Sequence, residues 1–296
     1  MTVALVTGAT GFTGSHLVRR LLAASYTVHV VVRPASDLEP LASVRDQLVV
    51  HVHDGSTAHL TAILQAAAPA VVFHLAALVL TGHTPATLVP LLESNLVFAT
   101  QLVEAMVSAG VSQLINTGSY WQHYEGQDYN PVNLYAATKQ AFEAILQYYL
   151  EAAELKAITL VLFDSYGPAD PRPKLFNLLA QAARTGEVLA LTPGEQLLDL
   201  VHVEDVAEAF LCAHRHLRTL ELHAHERYAV TSGRHLTLKE VVAIYERESG
   251  LRLLVRWGGR AYREREVMIP WSGGRALPGW QPQIRLEEGI GKLSEH

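Results

Sequence analysis

Residues 3–25 read VALVTGATGFTGSHLVRRLLAAS. A short β-rich run leads into three glycines at intervals of three, and these lead into a segment with helical apolar spacing. A tight strand-to-helix turn needs a residue free to take positive φ. A pyrophosphate that approaches the backbone closely excludes a Cβ, and the first amides of the helix then face the anion. Gly8, Gly11 and Gly14, with Thr10, Phe12 and Thr13 between them, are therefore read as a cofactor loop. The spacing is GxxGxxG rather than the commoner GxGxxG, so the strand–loop–helix context carries as much weight as the glycines.

The same alternation continues outward. YTVHVVV (26–32), QLVVHVHD (47–54), AVVFHLAA (70–77), SQLINTGS (112–119) and AITLVLF (157–163) read as strands. LTAILQAA (60–67), a long pattern from Thr87 to Met106, and LYAATKQAFEAILQYYLEAA (134–153) read as helices. Strands alternating with helices of this length predict an α/β fold, a doubly wound parallel Rossmann sheet. From Ser165 the composition changes to YGPADPRPK, followed by shorter elements and a tail containing WGGRAYRERE and GWQPQIRLEEGI. This predicts a smaller interleaved C-terminal substrate-binding lobe. Residues 1–165 plus about 198–232 would form the dinucleotide domain, and 166–197 plus 233–296 the lobe.

Bulk properties narrow the function. The chain has 296 residues, 49% hydrophobic, with a formal net charge of −6. No run of Lys or Arg suggests a nucleic-acid partner. The single cysteine, Cys212, precludes a disulfide within the chain and reads as a small buried helix residue. The histidine pairs His51/His53, His214/His216 and His223/His225 lack Cys or carboxylate partners at ligand spacing, so no metal is expected. The most apolar stretch, Ala66 to Leu80, holds Pro69 and His74 and is too short to span a bilayer. No basic, apolar leader precedes the first strand, so no membrane partner and a cytoplasmic location are expected.

Cofactor choice is read at the end of the second strand. An acid there binds the ribose 2′-OH of NAD; this chain has Val32 and then Arg33. A guanidinium attracts a 2′-phosphate with paired donors, so NADP(H) is expected. Asp54, with Gly55 beside it, is the candidate for the adenine amino group. Tyr135 and Lys139 in YAATK lie one helical turn apart on one face. A free phenol has a pKa of ~10. The ammonium and a positive nicotinamide are expected to lower it toward acid–base use, and Lys139 can also hold the nicotinamide ribose. Thr117 and Ser119 in LINTGSYW are the candidate hydroxyls for a substrate oxygen.

TGATGFTGSHL, HDG, HLAA, Asn95, YAATK, YGP, VHVEDVAEAF and GWQP…LEEGI, in that order along nearly the whole chain, resemble the extended short-chain dehydrogenase/reductase family, which acts mostly on nucleotide sugars. The resemblance implies that Asp54 meets the adenine. It implies that the loop His74–Leu78 lines the cleft, Leu75, Ala76 and Ala77 toward the cofactor and Leu78 toward the substrate. It places Phe163 at the cofactor and prefers Thr117, four residues before the aromatic Trp121, as the active hydroxyl. Dehydratases of the family carry Asp and Glu after that hydroxyl; Gly118 and Ser119 stand there instead, which argues against dehydration.

A longer local likeness, NTGSYWQHYEGQDYNPVNLYAATKQAFEAIL with LFDSYGPADPRPKLFNLL and GEQLLDLVHVEDV, is similar to bacterial reductases of CDP-dideoxyhexuloses. It implies NADPH-dependent reduction of a 4-keto group on a nucleotide-linked deoxysugar. A 4-epimerase and a non-catalytic NADPH-binding module are the alternatives. Two family positions differ: Leu198 replaces an arginine and Asp164 an asparagine. Arg172, Lys174 and Arg263 are then the candidate diphosphate contacts, Asp164 a sugar-hydroxyl contact, and Ser119 and Trp121 substrate contacts. Family members commonly pair through the helices bearing Asn95 and Tyr135, so a homodimer is expected.

Overall fold

The structure, a computed structural model, describes residues 2–293. Its main sheet contains β1 (Val3–Thr7), β2 (Thr27–Val32), β3 (Leu48–Val52), β4 (Val71–His74), β5 (Gln113–Ser119), β6 (Lys156–Leu162) and, later in the chain, β10 (His225–Val230). The spatial order is β10-β6-β5-β4-β1-β2-β3, and every pairing is parallel. Side chains alternate faces along a strand, and the two apolar layers follow from that. Ala4, Val6 and Phe73 point into a core with Leu17, Val18 and Leu21 of α1 (Phe12–Ala23) and Val206 and Phe210 of α7 (Val203–Leu217). Leu5 and Val72 point the other way. They join Leu60 and Leu64 of α2 (Thr57–Ala67), Leu102 and Met106 of α4 (Phe98–Ser108), and Phe142 and Leu146 of α5 (Leu134–Ala152). Strand order reverses between β1 and β4, so the crevice at their C-terminal ends is where such a sheet takes its ligands.

The helix before β5 begins earlier than its periodicity suggests. Thr84 and Thr87 form a capping box ahead of α3 (Pro85–Leu92), with Pro85 in the first turn. A π turn, Glu93–Val97, then joins α3 to α4 and carries Asn95 into the interior. By length and composition the helix Pro85–Ser108 could cross a membrane. One side of it packs Leu91, Ala99, Leu102, Val103 and Met106 into the protein, while Val89 and Val97 are exposed.

The smaller lobe is built from two short sheets. β7 (Asp164–Tyr166), β9 (Leu197–His202) and β11 (His235–Thr237) form one, in the order β11-β9-β7, and β8 (Leu189–Ala190) pairs with β12 (Val255–Arg256) in the other. They pack with α6 (Leu175–Thr185), α8 (Leu238–Ser249) and α9 (Leu286–Leu293) around Tyr166, Phe176, Val241 and Ile290. β9, which begins at the expected boundary of about 198, pairs with β7 and β11, while its Val201 packs into the core of the main sheet. The GWQP segment is pinned across α7: Trp280 Nε1 donates to Asp205 O (3.0 Å) and the Ile284 amide to Asp205 Oδ2 (2.9 Å). Cys212 is buried.

Candidate active site

The glycine loop is shaped by close backbone packing. Gly8 has φ +72°, and a Cβ there would lie 2.6 Å from the Ala76 nitrogen and 2.7 Å from the Leu75 carbonyl carbon. A Cβ on Gly14 would lie 2.0 Å from Gly8 O, whereas one on Gly11 would meet only that oxygen, at 3.3 Å. The turn closes through Gly11 N to Gly8 O (3.0 Å), and Gly11 caps α1 with no side-chain acceptor for the first amides. No acid stands in the first turn. Thr10 and Thr13 flank this opening, and Phe12 is buried beneath the Arg172 guanidinium, 4.5 Å from its ring centroid. These features fit a pyrophosphate.

At the far end of the crevice Arg33 is exposed at the end of β2, and among the described residues no carboxylate pairs with it. Its amide donates to Ser36 Oγ (3.0 Å). Asp54 is also exposed; its Oδ1 accepts from both the amide and the hydroxyl of Ser56 (2.8 Å each), which holds its carboxyl below the usual carboxylate range. Gly55, next to it, has φ +98°.

Two asparagines hold the loop after β4. Asn95 accepts from the Leu78 amide (2.7 Å), donates to Leu78 O (3.1 Å) and reaches Thr138 Oγ1 (3.0 Å). Asn133, the N-cap of α5, donates to Leu80 O (3.2 Å) and accepts from the Ala136 amide (3.0 Å). The segment containing Leu75, Ala76, Ala77 and Leu78 is thereby fixed between the glycine loop and α5. His74, at its root, is fully buried and bonded through Nδ1 to Thr7 Oγ1 (2.8 Å). Burial drops its pKa to about 3, so the ring is neutral and structural.

Tyr135 and Lys139 are both buried on the inward face of α5. The structure brings Ser119, not Thr117, to the phenol. Thr117 Oγ1 donates to His74 O (2.8 Å) and is occupied in joining β5 to β4. The Ser119 hydroxyl lies close enough to the phenol to draw its pKa down. Burial outweighs that pull and the field of Arg172, so the phenol is pushed up to about 12. The expected lowering called on Lys139 together with a positive nicotinamide; the protein's own groups alone push the other way. Burial likewise lowers Lys139 to about 8, opposed by the Glu143 carboxylate.

Glu143 lies one further turn along α5 and is a component that the sequence reading missed. Its carboxylate accepts from Gln122 Nε2 (2.8 Å) and pairs with Arg227 Nε of β10 (3.1 Å). Gln122 Oε1 in turn accepts from the Ser119 amide (2.8 Å). A single buried network thus ties the hydroxyl strand to the helix that carries Tyr135 and Lys139. Extending the four-residue spacing of YAATK one step would have found Glu143; Gln122 is visible only as the last residue of a capping box begun by Ser119.

On the lobe side Trp121 meets Tyr135 edge to face, with ring centroids 6.3 Å apart. Phe163 stacks on Tyr120 (4.8 Å), whose hydroxyl donates to Asp164 Oδ2 (2.8 Å). Lys174 approaches the other Asp164 oxygen at 3.5 Å. Arg172 is held by Asp170 through Nε (2.6 Å) and Nη2 (2.7 Å) and by Ser165 O (3.3 Å), which fixes it over Phe12 beside the glycine loop. Arg263 stands in an exposed loop with Glu266 (3.7 Å). Arg265, two residues on, is the less exposed cation: it lies over the Tyr124 ring at 4.3 Å and bonds to Asn130.

Comparison with known proteins agrees with this architecture. The chain is 25% identical over 295 residues to CDP-abequose synthase of Salmonella muenchen, covering 98% of this chain and 96% of that one. It is 30% identical to UDP-glucose 4-epimerase of Mycolicibacterium smegmatis, covering 98% and 97%. The solved UDP-glucose 4-epimerase of Thermus thermophilus, in complex with NAD, superposes with a TM-score of 0.84 at 26% identity, covering 100% and 98%. Residues 4–226 match the pattern of one family, and with the glycine loop, the Tyr135/Lys139 helix and the parallel sheet in place the chain belongs to the NAD dependent epimerase/dehydratase family.

Proposed function

We propose that this protein is an NADP(H)-dependent reductase of the 4-keto group of a nucleotide-linked deoxysugar. The observation that carries the reading is the buried Tyr135 phenol, with Ser119 beside it, buried Lys139 one turn along α5, and Gly118 and Ser119 rather than an acid pair after Thr117. Reduction needs a group that starts with its proton, and burial keeps Tyr135 in that form. NADPH, when bound, supplies the hydride. Tyr135 gives its proton to the forming alkoxide, and Ser119 donates to the same oxygen. Lys139 provides an ammonium for the ribose hydroxyls and stabilises the phenolate left behind. The Gln122–Glu143–Arg227 network holds Ser119 and Lys139 in register, and pre-set geometry of this kind supplies much of the rate. Thr117, assigned the hydroxyl role on sequence, becomes a fixed link to β4.

The glycine loop would hold the pyrophosphate, with no room for a Cβ at Gly8 or Gly14, and Asp54 would face the adenine. Arg33 would hold the 2′-phosphate, unopposed by any acid at the end of β2. The substrate would lie toward Leu78, Trp121, Asp164, Arg172 and Lys174. Arg265 is a better placed cation than Arg263. A second copy of the chain is the partner proposed for the exposed apolar side of the helix pair, where Val89, Val97 and Tyr148 stand clear; its mass in solution tests this.

The test is NADPH consumption against CDP-, dTDP-, UDP- and GDP-linked 4-keto sugars, with NADH in parallel. Oxidation of NADPH by one of them supports the reading. The specific rival is a 4-epimerase, favoured by the Mycolicibacterium relative and the NAD-bound Thermus structure. Turnover of a 4-hydroxy sugar nucleotide without added cofactor would establish that instead.

Three substitutions sharpen the assignment. Ser119→Ala is expected to lower kcat by about 10²-fold with little change in NADPH affinity, through loss of one donor to a developing oxyanion. Thr117→Val keeps the shape and should retain most of the activity; the reverse order of effects would restore Thr117 to the role. Arg33→Ala should weaken NADPH binding by about ten- to a hundredfold and leave NADH unchanged, the scale of a charge-assisted contact of about 1.5–3 kcal/mol. Equal effects on both cofactors would refute the 2′-phosphate assignment.

A further inference from the structure

His53, set aside on sequence, comes together with His59 and a carboxylate at the adenine end of the crevice. His53 is the first residue after β3, Asp54 follows it, and His59 stands in the first turn of α2, where Ser56 caps the helix by accepting from the His59 amide (3.2 Å). That cap turns the helix back over the strand end. His53 Nδ1 is 4.0 Å from Asp54 Oδ1, His59 Nδ1 is 3.4 Å from Asp54 Oδ2, and one ligand atom from each of the three lies within 4.8 Å of the others.

The anomaly is His53. Its ring is buried between Phe98 (5.7 Å) and His59 (6.1 Å), it is only 6% exposed, and neither ring nitrogen has a hydrogen-bond partner. Buried polar atoms almost always find partners, and an orphaned pair asks for a ligand.

We infer that His53, Asp54 and His59 form a site for a divalent transition metal of the zinc type. Two imidazoles and one carboxylate are zinc's preferred donors, with a water completing the shell. Bonds of about 2.0–2.2 Å place tetrahedral ligand atoms roughly 3.3 Å apart, so the Asp54–His59 pair is already at that separation. His53, 4.0 Å from Asp54 and within 4.8 Å of His59, closes on both by a side-chain adjustment of about an ångström. The Nδ1 lone pair of His59, now offered to the Asp54 amide (3.2 Å), passes to the metal. Asp54 is also the residue proposed for the adenine, so metal and cofactor exclude one another; this second half rests on the cofactor assignment made above.

Zinc titration of chelator-treated protein by calorimetry, with Co²⁺ absorption as a second signal, tests the site without any cofactor. One equivalent is expected to bind, with a tetrahedral Co²⁺ spectrum. His59→Ala, a half-exposed position, should weaken binding at least tenfold, and His53→Gln should do the same, each checked for an unchanged unfolding midpoint. Affinity equal in wild type and both variants overturns the site. NADPH titrated with and without Zn²⁺ then tests exclusion. A raised apparent Kd in the wild type and none in His59→Ala is expected. An unchanged Kd at saturating Zn²⁺ overturns the exclusion, and a chain that binds Zn²⁺ but no NADPH overturns the cofactor assignment alone.

Discussion

Tyr135→Phe is expected to lower turnover by about 10²–10⁴-fold, the usual contribution of a positioned acid–base group, while NADPH affinity stays close to that of the wild type. The phenylalanine keeps the ring that meets Trp121 edge to face, so the packing of α5 against the lobe is preserved and only the proton is removed. The hydroxyl is buried, and deleting it leaves Ser119 without that neighbour, although the Ser119 oxygen still accepts from the Trp121 amide (3.3 Å). Steady-state NADPH oxidation measures the first quantity and fluorescence titration of the cofactor the second. Near-normal turnover in this variant would remove Tyr135 from the chemistry and the reductase mechanism with it.

Burial, which holds the Tyr135 phenol up at about 12, fixes its resting form: it carries its proton at neutral pH, and giving that proton up calls for a nearby positive charge. Lys139, lowered to about 8, is mostly ammonium at pH 7 and becomes neutral as the pH rises through that value. Its cationic form is the one that would stabilise the phenolate after transfer. Glu143 favours that form from the turn beyond; burial pushes its own carboxyl up, and Arg227 and Gln122 oppose the push. Proton donation therefore depends on a chain of charges running along one face of α5 to the sheet edge.

Local regularities were readable in advance and long-range pairings were not. Glycines at intervals of three between a strand and a helix, and a Tyr and Lys four apart on a helix, are contiguous patterns whose geometry follows from period alone. The hydroxyl was a different matter. Thr117 and Ser119 are two residues apart on one strand and share a face; what separates them is that the neighbouring strand's His74 carbonyl captures Thr117. The pairing of β9 with β7 and β11 likewise depends on which strands it meets, not on its own composition. A sequence shows the ammonium four residues from Tyr135 and hides the burial that acts against it. His53 was weighed only with His51, and the α2 cap that folds His59 back onto Asp54 joins residues that the pairing of histidines does not reach.

Gly14→Ala is expected to abolish measurable cofactor binding and to lower stability, because the added methyl has nowhere to go. Its Cβ would sit 2.0 Å from Gly8 O, 2.8 Å from Gly8 C and 2.9 Å from Ala9 Cα, all backbone atoms that cannot swing aside. Relief requires α1 to move off the turn, and with it Leu17, Val18 and Leu21, which fill the core against α7. Overpacking of this kind costs about 1–3 kcal/mol, and the displaced amides of α1 no longer converge where a pyrophosphate would lie. Gly11→Ala separates the two effects. Its methyl would meet only Gly8 O, at 3.3 Å, which a small shift absorbs. That variant should fold with nearly the wild-type melting temperature and still bind NADPH poorly, since the methyl would occupy the opening at the α1 N-terminus. Cofactor titration and thermal unfolding of the pair give the comparison. Full NADPH affinity in Gly11→Ala would mean that the dinucleotide does not cross this turn, and a wild-type melting curve for Gly14→Ala would mean that the turn is not packed as tightly as its distances require.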